Sequence, residues 1–242
     1  MATKLLYLED FTGLTCDARV VEITEENGRA VITLDQTVFY PQGGGQPYDK
    51  GCIESPSAKF LVEEVRFIEG EVKHIGKFET GTFTAGEAIQ CRVAPERRKL
   101  NARIHSAGHL VDKAIAELNL PWKPGKGYHF PNGPYDEYTG NFGGLDKEKI
   151  KADIERLCNA YVEKGGKTGI TFMTKEEMQK MCRYTPDFPE EKEKRARIVI
   201  HGGFYMPCGG TPVGDISEVG HVTIRKIKQE GEKVRIGYDV VR

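Results

Sequence analysis

His105, His109 and Cys208 are the residues whose types and spacing point most directly to chemistry. On a helix, positions i and i+4 stand one above the other, so two imidazoles at that spacing can reach one metal ion from one face. At about 100° per residue, His105 and His109 turn away from an apolar stripe of Leu100, Ile104, Ala107, Val111, Ile115 and Leu118. The spacing alone is a weak sign, since two histidines can share a helix by chance. The helical zinc-protease motif also requires a glutamate after the first histidine, and this chain has Ser106 there. Cys208 strengthens the case, because Gly209 and Gly210 beside it leave room for a thiolate to approach an ion. The bland alternative is a buried apolar thiol, the common fate of free cysteine. Two histidines and one cysteine form a catalytic zinc set that leaves one position for water.

Two further groups have the composition of a binding site. Gln42-Gly43-Gly44-Gly45-Gln46 lacks the spacing of a P-loop or dinucleotide fingerprint. It reads either as a tight loop after an expected strand at Val38–Tyr40 or as a backbone turned toward a ligand. Arg97, Arg98, Lys99 and Arg103 cluster near one position, and Lys123 and Lys126 flank Trp122 and Tyr128. Cations among aromatics suit an unpaired nucleic-acid end, through phosphate contact and stacking; each taken singly reads equally well as a solvated side chain.

The elements that must position these residues fall into two halves. Residues 1–93 carry short β-branched runs separated by turn signals such as Asn27-Gly28 and Glu69-Gly70, the pattern of a small barrel or sandwich. Expected strands are Arg19–Thr24, Arg29–Leu34, Phe60–Phe67, Val72–Ile75 and Ala88–Val93. At Pro95 the period changes from 2 to 3.6, and a helix carrying both histidines runs to Asn119-Leu120-Pro121. The boundary is placed near residue 94, giving domains 1–93 and 94–242. Helices are expected at Leu145–Val162 and Lys175–Cys182, and strands at Ala196–Ile200, His221–Lys228 and Lys233–Val241. One or two short strands are expected around Tyr128–Tyr138, and the Glu190–Arg197 charge run reads as a solvated loop. No apolar run reaches the length of a membrane span and no secretory leader is visible, so a cytoplasmic protein is expected. The six unpaired cysteines fit that reading. A net charge of −1 over 242 residues leaves any affinity for RNA to local patches.

His105-x3-His109 followed by Cys208-Gly209-Gly210-Thr211 resembles the editing domain of alanyl- and threonyl-tRNA synthetases, and above all the free-standing alanyl-tRNA editing proteins of the AlaX family. Phe39–Pro47, Gly127–Tyr135 and the stretch from Val219 to Ile224 share in the resemblance, which runs from about residue 5 to the C-terminus. It implies an α+β protein in which a small N-terminal β-barrel precedes an editing domain built from an antiparallel sheet with helices packed on it. It further implies zinc-dependent deacylation of mischarged tRNA(Ala), with Ser-tRNA(Ala) or Gly-tRNA(Ala) as substrate and tRNA as partner. In that setting His105, His109 and Cys208 hold Zn2+, and Thr211 with the backbone of Gly209 and Gly210 stabilises the oxyanion. Gln42, Gly43, Gly44, Gly45 and Gln46 contact the aminoacyl end, and Arg97, Arg98, Lys99, Arg103, Lys123 and Lys126 contact tRNA.

One position departs from the family, which has Cys-x3-His where this chain has Pro212. Water fills the vacant place, or another residue does (His129, His201, Asp215 or His221), or the metal is lost. Of these, water is the preferred expectation. Loss of the metal leaves a tRNA-binding module without hydrolytic activity.

Overall fold

The computed structural model describes residues 2–186 and 194–241 and divides into two compact units, Met1–Leu100 and Asn101–Arg242. The first unit contains β1 (Lys4–Leu5), β2 (Thr15–Glu26), β3 (Arg29–Leu34), β4 (Gln36–Thr37), β5 (Gly51–Glu54), β6 (Lys59–Ile68), β7 (Glu71–Thr80) and β8 (Ala88–Val93). Six of these strands close into an antiparallel barrel in the order β2-β3-β7-β6-β5-β8, while β1 and β4 form a short parallel pair. Closure leaves no unpaired edge, and alternate residues such as Val20, Ile32, Ile53, Phe60, Val62 and Ile89 fill the interior. The hairpin turns are written in the sequence: Asn27-Gly28 (φ 52° and 74°) and Glu69-Gly70 (φ 51° and 85°) both take positive φ at two successive residues, the geometry that matches strand twist.

Three expectations need amendment here. The expected strand at Val72–Ile75 is the start of β7, which continues to Thr80 because β6 supplies a partner along its length. Val38–Tyr40 forms no strand; the ladder ends at Thr37 and the three residues are buried instead. Strand β5 escaped detection because only Ile53 of its four residues is buried.

A buried ion pair fixes the loop that follows the glycine run. The Arg98 guanidinium donates through Nε to both carboxylate oxygens of Asp49, at 3.1 and 3.0 Å, and through Nη2 to Val38 O at 2.7 Å. Asp49 also accepts from the Tyr40 amide at 2.8 Å. Arg98 therefore spends its guanidinium inside the barrel unit.

Helix α1 (Pro95–Glu117) begins in the first unit and carries the rest of its length in the second. Beyond it come β9 (Lys123–Tyr128), β10 (Tyr135–Thr139), α2 (Lys147–Lys164), β11 (Thr168–Met173) and α3 (Lys175–Met181). The last elements are β12 (Ala196–His201), β13 (Phe204–Pro207), β14 (His221–Glu230) and β15 (Lys233–Val241). They form a four-stranded antiparallel sheet, β14-β15-β10-β9, and a three-stranded one, β11-β12-β13. Ile104, Leu110 and Ile115 of α1, Ile154 and Cys158 of α2, and Val222, Ile224, Ile236 and Tyr238 of the larger sheet share one core. Helix α2 starts after Asp146 rather than at Leu145, because that carboxylate caps it by accepting from the amides of Glu148 and Lys149. β11 and β13 were missed: the first is half-buried along most of its length without alternation, and the second is only four residues long. Among the described residues no helix is long and apolar enough to cross a membrane.

Candidate metal centre

Residues Asn101–Val111 of α1 are buried all round, so His105 and His109 lie inside the protein although they face away from the apolar stripe. Leu100, the expected start of that stripe, is exposed. Strand β13 ends at Pro207 and delivers Cys208 to the same place: its Sγ lies 2.9 Å from His105 Nε2. One donor atom from each of His105, His109 and Cys208 falls within 4.8 Å of the other two. Ligands bound tetrahedrally at 2.0–2.3 Å sit about 3.5 Å apart, so small side-chain rotations suffice to close the group on a zinc ion.

The electrostatics suit a metal. Burial, reinforced by neighbouring histidines and Arg197, holds His105 and His109 well below the usual imidazole range, so both present lone pairs at neutral pH. His105 Nδ1 and His109 Nδ1 are buried without a hydrogen-bond partner. Burial pushes the Cys208 thiol up, against the pull of the Gly210 amide, which donates to Sγ at 3.2 Å, and of Arg197. A cation with affinity for imidazole and thiolate relieves that burial cost.

Arg197 fell in the sequence both at the start of an expected strand and at the end of an expected solvated run, and it belongs to the strand. It lies on β12 and is buried, and its Nη1 donates to Cys208 O at 2.7 Å and to Gly210 O at 3.0 Å. The Cys208 amide returns a hydrogen bond to Arg197 O at 3.0 Å. The cation thus grips the turn that carries the thiolate, which corrects its assignment to a solvated run; residues 190–193 of that run lie outside the described residues. Ser106 was noted only for not being glutamate, yet its Oγ accepts from the Val213 amide at 3.0 Å and ties the ligand helix to the chain beyond Pro212. Nothing in the spacing of either residue marked them, because their partners are backbone groups far away in sequence.

The other expected site residues stand in varied local settings. Thr211 is fully buried, Gly210 spends its amide on Cys208 Sγ, and Gly209 is exposed. In the barrel unit Gly43 and Gln46 exchange backbone hydrogen bonds at 3.2 and 2.8 Å, closing the glycine run into a tight turn in which Gly44 and Gly45 have positive φ. Gln42, Gly43 and Gly44 are exposed, while the Gln46 side chain is buried. Arg97 donates to Tyr48 O at 2.8 Å, and Lys99, Lys123 and Lys126 are exposed. Arg103 is buried with Nε on Val219 O at 2.8 Å and Nη2 on Val241 O at 2.9 Å.

Residues 3–97 match the family described as tRNA synthetases class II (A). The alanyl-tRNA editing protein AlaX-M of Pyrococcus horikoshii is 33% identical over 231 residues, covering 94% of this chain and 91% of that one. The chain belongs to the AlaX family. AlaX-M of Methanosarcina barkeri is 27% identical with 98% of each chain covered, and the alanine–tRNA ligase of Methanobrevibacter smithii is 28% identical over 26% of its own length. The AlaX family membership therefore rests on nearly the full chain, both units included.

Proposed function

We propose that this AlaX-family chain is a trans-editing hydrolase that removes a wrong amino acid, serine or glycine, from tRNA(Ala). The single observation that carries the zinc-dependent form of this reading is the convergence of His105, His109 and Cys208 within 4.8 Å in a buried setting. A zinc ion held there supplies a Lewis acid for the ester carbonyl and lowers the pKa of water. The chain's own residues do the rest. Neutral His105 and His109 offer nitrogen lone pairs, and Arg197 with the Gly210 amide steadies the Cys208 turn. The exposed Gly209 stands next to the thiolate, where a backbone amide suits the developing oxyanion. Gln42 and the Gly43–Gly45 backbone are assigned to the aminoacyl end, and Arg97, Lys99, Lys123 and Lys126 to tRNA phosphates. Discrimination against alanine follows if the site hydrogen-bonds the serine hydroxyl, since a buried polar group left unpaired rejects the smaller substrate.

The test is deacylation of Ser-tRNA(Ala). Release by the wild type, abolished in His105→Ala and by chelation, is expected; undiminished release by His105→Ala would sink the proposal. Pro212 favours one competing reading, a metal-free tRNA-binding module. Purified protein without zinc that binds tRNA yet releases no serine would establish it.

A further inference from the structure

The zinc reading uses two of four buried histidines in the second unit. Ring centres lie 4.6 Å apart for His105 and His109, 4.8 Å for His105 and His129, and 5.3 Å for His109 and His201. Two imidazoles sharing one tetrahedral zinc at about 2.0–2.1 Å have ring centres roughly 5 Å apart, so each additional ring stands at that spacing from one ligand histidine. Neither belongs to the group of three within 4.8 Å, and each would have to swing in to join it.

The ring nitrogens separate them. His129 Nδ1 is 2.7 Å from the Tyr238 hydroxyl, and its Nε2 faces Asp136 Oδ1 at 4.0 Å. A Cβ on Gly127 would meet that Nε2 at 2.4 Å, so the nitrogen is packed against backbone and not turned to the ligand group. His201 is different. Its Nδ1 lies 3.2 Å from Thr168 Oγ1, and its Nε2 is buried with no partner. A hydrogen bond on one ring nitrogen and a bare lone pair on the other is the arrangement of metal-bound histidine. Of the other residues named in the sequence for the fourth place, Asp215 is spent and His221 lies outside. Asp215 Oδ1 accepts from the Gly166 and Ser217 amides and the Ser217 hydroxyl, and His221 is exposed.

Strand geometry sets the face that His201 shares. Arg197 and His201 are four residues apart on β12, so their side chains leave the same face of the sheet. Arg197 grips the Cys208 turn on that face. Meanwhile Pro212, at the position where the family carries a third histidine, is buried and offers no donor. We propose that His201 is the fourth zinc donor of this chain, entering from β12 to replace the histidine absent at position 212. This rests on the zinc reading of His105, His109 and Cys208. It also replaces water as the preferred occupant of the fourth place; zinc can still accept a fifth ligand during reaction.

X-ray absorption at the zinc edge of the wild-type protein counts bound imidazoles without any mutant. Three imidazoles and one sulfur are expected, and two imidazoles would overturn the assignment. In parallel, His201→Gln should lower zinc affinity by about 10–100-fold or more in competition with a chelator. Adding Pro212→His to that variant should restore it. Zinc affinity unchanged in His201→Gln but abolished in His105→Ala refutes His201 while leaving the three-ligand centre standing. No zinc in the wild type refutes both, and that result is distinguishable from the first. Far-UV circular dichroism of His201→Gln identifies a loss of affinity caused by misfolding.

Discussion

Replacing Arg197 by lysine isolates what holds the thiolate in place. The guanidinium makes two hydrogen bonds to the Cys208 turn, at 2.7 and 3.0 Å, from a single nitrogen in a buried position. Charge-assisted bonds contribute about 1.5–3 kcal/mol each. Lysine keeps the charge but carries its ammonium on a shorter stem, which falls short of the place from which Nη1 reaches both carbonyls. Losing one bond and leaving a buried carbonyl unsatisfied costs about 2–4 kcal/mol. Because the lost contact sits on the turn bearing Cys208, zinc affinity and Ser-tRNA(Ala) deacylation should fall together, by about 10–100-fold, the usual scale for a partner behind a metal ligand. Urea unfolding, chelator competition and single-turnover deacylation measure the three quantities. Arg197→Lys with wild-type stability and wild-type zinc affinity would show that the turn is held by its own backbone, and the reasoning would be wrong. Loss of stability with zinc affinity intact would remove Arg197 from the centre and leave it a fold residue.

Three other outcomes are expected. Asp49→Ala strands the buried Arg98 guanidinium and should destabilise the barrel unit by about 3–5 kcal/mol, whereas Asp49→Leu with Arg98→Met should cost much less; chemical denaturation decides. Burial lowers the pKa of His74 to about 4, against about 6.5 for an unfolded histidine. As pH falls through that window the unfolded chain takes up a proton that the folded one refuses, so up to about 3 kcal/mol of stability is lost. The difference in pH dependence between wild type and His74→Gln isolates this contribution, and equal slopes would contradict it. Ser106→Ala leaves the Val213 amide without its 3.0 Å acceptor and should cost about 1–3 kcal/mol, read as a lower urea midpoint with unchanged m-value.

Much of the architecture is legible along the chain because it depends on local physics. Asn27-Gly28 and Glu69-Gly70 form hairpin turns because both take the positive φ values the turn demands, and Pro95 starts α1 where the apolar period changes. The H-x3-H spacing puts both imidazoles on one side of that helix whatever surrounds it. What surrounds it is not local. Cys208 meets His105 only because β13 pairs with β12, and β13 is too short to announce itself. Burial, which composition along a helix cannot give, drew His105 and His109 inside and turned Arg98, Arg103 and Arg197 from expected surface cations into internal ties. Each of those arginines binds groups between 11 and 138 residues away, beyond the reach of any periodicity. The sequence by itself determined the long helices and most of the long strands, the family resemblance and the three donors. Tertiary structure decided which cations are available to a ligand, and it brought a fourth buried imidazole, His201, beside the site, because only folding removes water from these groups and sets their partners.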